Sequence, residues 1–283
     1  MQIILAPSAD LAKTLNPHIT VEAEYGSVVA EGSLYTSAHH QPGMEDRPAP
    51  CNDKEIPLCP PDGIILVSHL DLDTVGGCLR AMGWSEVFGS KYDSFWSLAQ
   101  FVDLNGPHKL GLSGASQADL DRLYAYWAWH KVHTPRYPRD QVSDVSEVVG
   151  LAGKALIGLL DGQESLLEAG REFKAAEDAL NQDTFKSLEG RIIVREAEKA
   201  SQFCNHLYTT PDGEVGTIVV CLNLEFGSVT VSFADPIPGL SCREVVQELW
   251  GPEAGGHDGI AGSPRERQMS QQDVDALVER LTR

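Results

Sequence analysis

The stretch Gly63-Ile64-Ile65-Leu66-Val67-Ser68-His69-Leu70-Asp71-Leu72-Asp73 sets two carboxylates two positions apart, directly after a continuous apolar run. Two acidic side chains at a buried strand end resist desolvation unless cations accompany them. Oxygen donors with a nearby imidazole, here His69, suit Mn²⁺ or Mg²⁺ better than a soft metal. The competing reading is an acidic helix cap, with Asp73 before a helix and Asp71 simply exposed. Two further groups extend the donor set. Asp103 ends the apolar segment Ala99-Gln100-Phe101-Val102, and the only His-His pair, His39-His40, closes Leu34-Tyr35-Thr36-Ser37-Ala38. His108, and His130 with His133 at i, i+3, are alternative sources of imidazole, and Arg47 is a nearby cation.

A different chemistry is written in Gly255-Gly256-His257-Asp258-Gly259-Ile260-Ala261-Gly262-Ser263-Pro264-Arg265. Glycines without Cβ let backbone approach a ligand closely. His257 can donate to a phosphate, Ser263 keeps the following turn small, and Arg265 offers a bidentate fork.

The elements that must position these residues fall into two sets. Residues 2–6 read as a strand. Residues 19–25 and 28–38 alternate apolar with polar residues around Gly26-Ser27, as a hairpin does. Residues 63–68 read as a buried parallel strand feeding a helix from Val75. Strand, charged loop and helix in that order make the α/β arrangement whose ligand sites lie at strand C-terminal ends. Ala99–Val102 reads as a further apolar segment that would leave Asp103 at a strand end. Residues 116–132 read as an amphipathic helix, and 144–180 as two helices parted near Asp161-Gly162. The polar run 181–190 reads as a linker. Beyond it, strands at 191–196, 217–224 and 228–234, a helix at 241–250 and a final helix at 270–282 make an α+β layout. The expected architecture is α/β, a parallel-sheet N-terminal domain at 1–185 followed by a smaller α+β domain at 190–283.

Composition narrows the partners. A hydrophobic fraction of 42% with 22% charged residues is that of a soluble globular protein. No run of 18 apolar residues exists, which excludes a membrane-spanning helix. Met1–Pro7 lacks a basic region and an extended apolar stretch, so a signal peptide is not expected and the expected location is the cytoplasm. Six cysteines without CxxC spacing read as reduced thiols. A net charge of −19 repels long polyanions. An anionic substrate should therefore be small, with its countercharge supplied locally, in part by divalent metals.

Residues 227–233, 241–249 and 255–262, in the order strand, short helix and GGHDGIAG, resemble the DHH-associated domain of RecJ-like exonucleases and nano-RNases, with Ile260 in place of an alanine. His69-Leu70-Asp71-Leu72-Asp73-Thr74-Val75-Gly76-Gly77 resembles the first motif of DHH phosphoesterases. It is similar to the DLDSxxS version of family II pyrophosphatases and exopolyphosphatases, and to the HxNPDxDAxGS version of nano-RNases with a shorter spacing after the histidine. The resemblance implies metal ligation by Asp71 and Asp73, with His69 as a further ligand and catalytic group. It also implies a ligand role for Asp103 and substrate contacts from Gly255, Gly256, His257, Ser263 and Arg265. No Asp-His-His follows Asp103, and His39-His40 precedes the first motif, so the site is expected to be rearranged, with its imidazoles arriving from an earlier strand. The implied activity is Mn²⁺- or Mg²⁺-dependent hydrolysis of a phosphodiester or phosphoanhydride in a small nucleotide, short oligonucleotide or similar molecule. A homodimer is compatible with it. Two alternatives stay open: a nucleotide-binding sensor that retains the clamp domain without catalysis, and a metal hydrolase of a non-phosphate substrate.

Overall fold

The computed structural model describes residues 1–25, 28–40, 44, 46–264 and 266–283. The chain divides into two compact units, one of Met1–Asn105 with Ser113–Lys174 and one of Gly106–Leu112 with Ala175–Arg283.

The first unit opens with β1 (Gln2–Leu5), a short helix α1 (Ala9–Ala12) and β2 (Ile19–Val21). A pair of two-residue strands follows, β3 (Glu24–Tyr25) and β4 (Val28–Val29), then β5 (Tyr35–Ser37) and β6 (Ile64–Val67). Next come α2 (Leu72–Met82), α3 (Asp93–Asn105), α4 (Gln117–His133), β7 (Ser143–Asp144) and α5 (Ser146–Leu160). The long helix α6 (Glu164–Thr184) begins in this unit and ends in the other.

The sheet order is β5-β2-β6-β1-β7. β5, β2, β6 and β1 are parallel, and β7 is antiparallel to β1. Ile65, Leu66 and Val67 in β6 are fully buried, as a central parallel strand requires. Although β6 is the last of the four parallel strands in sequence, it inserts between β2 and β1. The C-terminal ends of β5, β2 and β6 therefore stand side by side.

Two expectations fail in this unit. Residues 19–38 do not make one long hairpin. β3 and β4 pair over two residues each, while β5 runs parallel to β2, Ile19 opposite Tyr35. Period-two alternation reports a half-buried face and is silent on which neighbour a strand takes. The Gly26-Ser27 turn lies outside the described residues. Secondly, Ala99–Val102 is not a strand and Asp103 is not at a strand end: both lie in α3. The buried positions Phe95, Trp96, Leu98 and Ala99 carry the i, i+1, i+3, i+4 spacing of a helix face.

The second unit contains β8 (Phe185–Glu189), β9 (Ile192–Ala197), β10 (Ile218–Asn223) and β11 (Ser228–Phe233). It ends with α7 (Cys242–Trp250), β12 (Gly255–Gly256), β13 (Ile260–Gly262) and α8 (Gln271–Thr282). Its sheet order is β12-β13-β11-β10-β9-β8, with β9 and β10 parallel and the other neighbours antiparallel. The core joins Ile192, Val220 and Val231 of the sheet to Val245, Val246 and Leu277 of the helices. Residues 181–190 are no linker, since they complete α6 and form β8. β8 is an edge strand, and edge strands carry the polar side chains that make such a run look like loop. The molecule is thus a parallel-sheet α/β unit followed by a smaller α+β unit, as the element pattern implies. Among the described residues no helix is long and apolar enough to cross a membrane.

Candidate metal centre

Three neighbouring strand ends deliver the donors. Glu22 follows β2, His39 and His40 follow β5, and Asp73 lies in the first turn of α2 after β6. Asp103 reaches the same point from α3. His39 Nε2 lies 2.9 Å from Asp103 Oδ2, 3.3 Å from Glu22 Oε1 and 3.8 Å from Asp73 Oδ2. His40 Nε2 lies 3.2 Å from Asp103 Oδ2 and 3.9 Å from Glu22 Oε2. Glu22, His39 and Asp73 are buried, and His40 opens the cluster to solvent.

These close approaches are mostly not hydrogen bonds. Glu22 Oε1 and Oε2, His39 Nδ1 and Nε2, Asp73 Oδ2 and Asp103 Oδ2 are all buried without a hydrogen-bond partner. Folded proteins leave few buried polar atoms unsatisfied, so six in one cluster call for an explanation. His39 Nε2 and the carboxylate oxygens facing it point at one another without sharing protons, as ligands of a cation do, whereas His39 Nδ1 lies on the other side of its ring. Two sets, Glu22 with His39 and His40, and His39 with Asp73 and Asp103, offer ligand atoms all within 4.8 Å of one another. Carboxylate oxygens with imidazole nitrogens fit Mn²⁺ well, and tolerate Mg²⁺.

The electrostatics agree with the geometry. Burial, then the charges of Asp73, Glu24, Asp103 and Asp71, pushes the Glu22 carboxyl up to about 10. Burial and the neighbouring Asp71 push Asp73 up to about 7. Asp103 resists its own burial, because His39 and His40 hold its carboxyl well below the usual range. Without a cation the cluster therefore keeps Glu22 protonated and Asp73 partly so at neutral pH, and a divalent cation would favour their ionised forms and displace those protons.

Asp73 is fixed by the loop facing it. The backbone N–H of Cys51 donates to Asp73 Oδ1 at 2.9 Å. Arg80 Nε donates to Cys51 O at 2.7 Å, and Asn52 Nδ2 donates to Trp96 O and Gln100 Oε1 of α3 at 3.0 and 2.9 Å. Gly76 and Gly77 let this loop lie against α2. A Cβ on Gly76 would sit 2.6 Å from Cys51 Cβ, and one on Gly77 would sit 2.6 Å from Pro50 Cβ and Val21 Cγ1.

His69 and Asp71 form a separate pair beside the cluster. Asp71, not Asp73, caps α2, its Oδ1 accepting from Thr74 N at 2.8 Å. Its Oδ2 lies 3.3 Å from His69 Nε2. Ser68 Oγ donates its one hydrogen to Glu22 O and therefore accepts from His69 Nδ1 at 2.9 Å. With both ring nitrogens facing acceptors, and despite burial, the hydrogen bond to Asp71 raises the basicity of His69.

The other imidazoles are engaged elsewhere. His130 Nε2 donates to Leu70 O and His133 Nδ1 to Trp129 O, each at 2.8 Å, while His108 packs on Tyr208 in the second unit. Arg47 Nη1 donates to Thr36 O at 3.0 Å. Glu22 is the member that sequence reasoning missed. Its signal was the one used for His39 and Asp71, a polar donor directly after a short apolar run, but a strand drawn through to Tyr25 concealed it.

In the second unit the glycine-rich loop is the β12–β13 hairpin. Gly256 has φ +151, and a Cβ there would meet Ile260 O at 2.4 Å. Gly255 has open space about it, and the His257 side chain is exposed at the turn. Ser263 is held by β11, its Oγ accepting from Val229 N at 3.1 Å and its N–H donating to Val229 O at 2.8 Å. Arg265 lies outside the described residues.

No family model matches the chain, and no curated protein does. Among solved structures it is similar to the pGpG-specific phosphodiesterase PggH from Vibrio cholerae, at 10% identity and TM-score 0.43 over 94% of this chain and 97% of that one. It is also similar to RecJ from Thermus thermophilus in complex with Mn²⁺, at 14% identity and TM-score 0.35 over 96% of this chain and 45% of that one. A third similarity is to a protein from Helicobacter pylori, at 11% identity and TM-score 0.25 over 78% of this chain and 69% of that one.

Proposed function

We propose that the chain is a divalent-metal-dependent phosphoesterase of the DHH type, hydrolysing a phosphodiester or phosphoanhydride in a small nucleotide or short oligonucleotide. The observation that carries this reading is the convergence of Glu22, His39, His40, Asp73 and Asp103, with five buried and unpartnered donor atoms among them, at the C-terminal edge of a parallel sheet. Those five residues would hold the ions. Bound divalent cations polarise a phosphoryl oxygen and lower the pKa of water. Cys51 N–H keeps Asp73 oriented. His69, half exposed and made more basic by Asp71, is assigned to pass a proton to a leaving oxygen at the rim. His257, with the open backbone of Gly255, is assigned to phosphate binding, and the net charge of −19 restricts the substrate to small anions.

The test is a Mn²⁺ titration of the full chain followed by phosphate release from dinucleotides, pyrophosphate and small phosphate esters. Wild type should bind Mn²⁺ and turn over at least one of these. Asp73→Ala should lose at least about a thousandfold in kcat with its circular dichroism unchanged, a loss of roughly 4 kcal/mol in transition-state stabilisation. Equal turnover by Asp73→Ala would overturn the assignment, and Mn²⁺ binding with no turnover on any substrate would favour the sensor. His257→Ala should raise KM without loss of metal.

A further inference from the structure

The second unit holds a cluster of ionisable groups that the phosphoesterase reading does not use. Arg195 in β9 is fully buried. Its Nε donates to Leu207 O at 2.9 Å and its Nη1 to Asn181 O and Thr184 Oγ1, both at 3.1 Å. Its Nη2 donates to Asn181 Oδ1 at 2.7 Å and Thr209 O at 2.8 Å. All five acceptors are neutral, so the guanidinium is satisfied in hydrogen bonds and not in charge. An arginine stays ionised even so, and a buried charge favours a compensating one nearby.

The ionisable groups whose charge favours the Arg195 cation are two thiols, Cys204 and Cys221. Cys221 is the register partner of Arg195 across the β9–β10 ladder. The two Sγ atoms lie 3.0 Å apart, and both side chains are buried. The pair is asymmetric. Either sulfur can donate across this contact; the contact with Cys221 and the Arg195 cation together outweigh burial to hold Cys204 below the usual thiol range, while Cys221 is held above it. One sulfur is thus disposed to be a thiolate, with a protonated thiol in contact with it. Thiolate character governs oxidation more strongly than the presence of a thiol does.

We propose that Cys204 and Cys221 are an oxidisable dithiol, which a small hydroperoxide converts into a disulfide. The Cys204 thiolate attacks one peroxide oxygen. The O–O bond breaks, a sulfenic acid forms on Cys204, and hydroxide leaves when the oxidant is hydrogen peroxide. Cys221 then loses its proton and its sulfur attacks the Cys204 sulfur. The S–O bond breaks, water leaves and the S–S bond forms. Two electrons pass from the two sulfurs to the peroxide, which ends as water. The oxidant class follows from burial, because the covered pair admits a molecule of water's size far more readily than a bulky disulfide. Cys204 also lies in a segment of turns and irregular chain beside the exposed Phe203, where local opening demands least.

Cys59 is a built-in control. It is more exposed than either member of the pair, but burial pushes its thiol up, and the N-terminal ammonium offsets this only in part. The experiment treats the reduced full chain with a few equivalents of hydrogen peroxide, alkylates the remaining thiols and maps the peptides. The expected product is a Cys204–Cys221 linked peptide that a reductant reverses, with Cys59 still alkylated. In Cys221→Ser, dimedone should trap a sulfenic acid on Cys204, whereas Cys204→Ser should give no adduct on Cys221. Oxidation of Cys59 while Cys204 and Cys221 stay alkylatable would overturn the proposal, and so would a dimedone adduct on Cys221 in Cys204→Ser. The mapping of wild type needs no variant to fold.

Discussion

Glu22 concentrates two unfavourable features in one side chain. It is a non-glycine residue at φ +47, and its carboxylate is buried without a hydrogen bond. A left-handed backbone of this kind costs on the order of 1–3 kcal/mol, and such strain clusters where a side chain must be aimed for function. Burial of a carboxyl that must take up a proton at neutral pH, and that still lacks hydrogen-bond partners, adds to that cost. Both features make sense if a bound cation returns the stabilisation, which gives Glu22→Gln two effects of opposite sign. The amide removes a buried acid, so the metal-free protein should become more stable, by about 1 kcal/mol or somewhat more. The same change removes a ligand, so Mn²⁺ affinity should fall at least about tenfold, or roughly 1.4 kcal/mol. Denaturant unfolding in chelator and calorimetric Mn²⁺ titration read the two effects separately. A variant that is destabilised and binds Mn²⁺ normally would show Glu22 to be an ordinary structural residue. The donors read from the sequence as metal ligands divide instructively on this point. Asp73, Asp103, His39 and His40 meet, whereas Asp71 and His69 pair beside them. Local residue type identified the donors, but only the strand order says which of them share a point.

At the scale of elements, β6 and the helix after it were legible because a continuous apolar run ending in turn residues has few other solutions. The parallel pairing of β2 with β5 was not, since their alternation fits either neighbour. Ala99–Val102 looks like a strand only when taken without the preceding turn, where Phe95 and Trp96 reveal the helical period of α3. The Gly76-Gly77 pair belongs to the helix start that the sequence predicts, yet its role is steric. It lets the loop at 50–53 lie close enough for Cys51 N–H to reach Asp73. Gly76→Ala would gain close to 1 kcal/mol of helix propensity. Its new Cβ would meet Cys51 Cβ at 2.6 Å and Trp96 Cζ3 at 2.9 Å, both in well-packed surroundings. Overpacking of this kind costs about 1–3 kcal/mol, so the net change should be destabilising. Gly150 in α5 is the matched comparison, because a Cβ there meets nothing within 4 Å. Gly150→Ala should therefore stabilise the protein by up to about 1 kcal/mol. Denaturant midpoints decide the matter. Stabilisation by both substitutions would mean that the loop is not held against α2.

At the scale of the whole molecule, a net charge of −19 complicates any claim of specific cation binding, because an acidic surface gathers divalent ions without a site. Ionic strength separates the two cases. At 1 M salt the Debye length is about 3 Å, so attraction to exposed carboxylates is largely screened, while buried ligands in direct contact are screened much less. Loosely held Mn²⁺ should be lost on raising the salt, leaving a class of stoichiometric sites that persists. Those sites should stabilise the fold by mass action, by about 2.7 kcal/mol at a free Mn²⁺ concentration one hundred times Kd. Asp103→Asn should remove both the salt-resistant binding and the stabilisation, because that carboxylate contacts both imidazoles of the cluster. Thermal unfolding at 1 M salt, with Mn²⁺ and with chelator, is the measurement. If wild type and Asp103→Asn gain the same stability from Mn²⁺ under those conditions, the ions are held somewhere other than this cluster. If neither gains any, the charge of the surface alone accounts for binding at low salt. The expected outcome, a gain in wild type alone, would separate the proposed centre from the acidic background in which it sits.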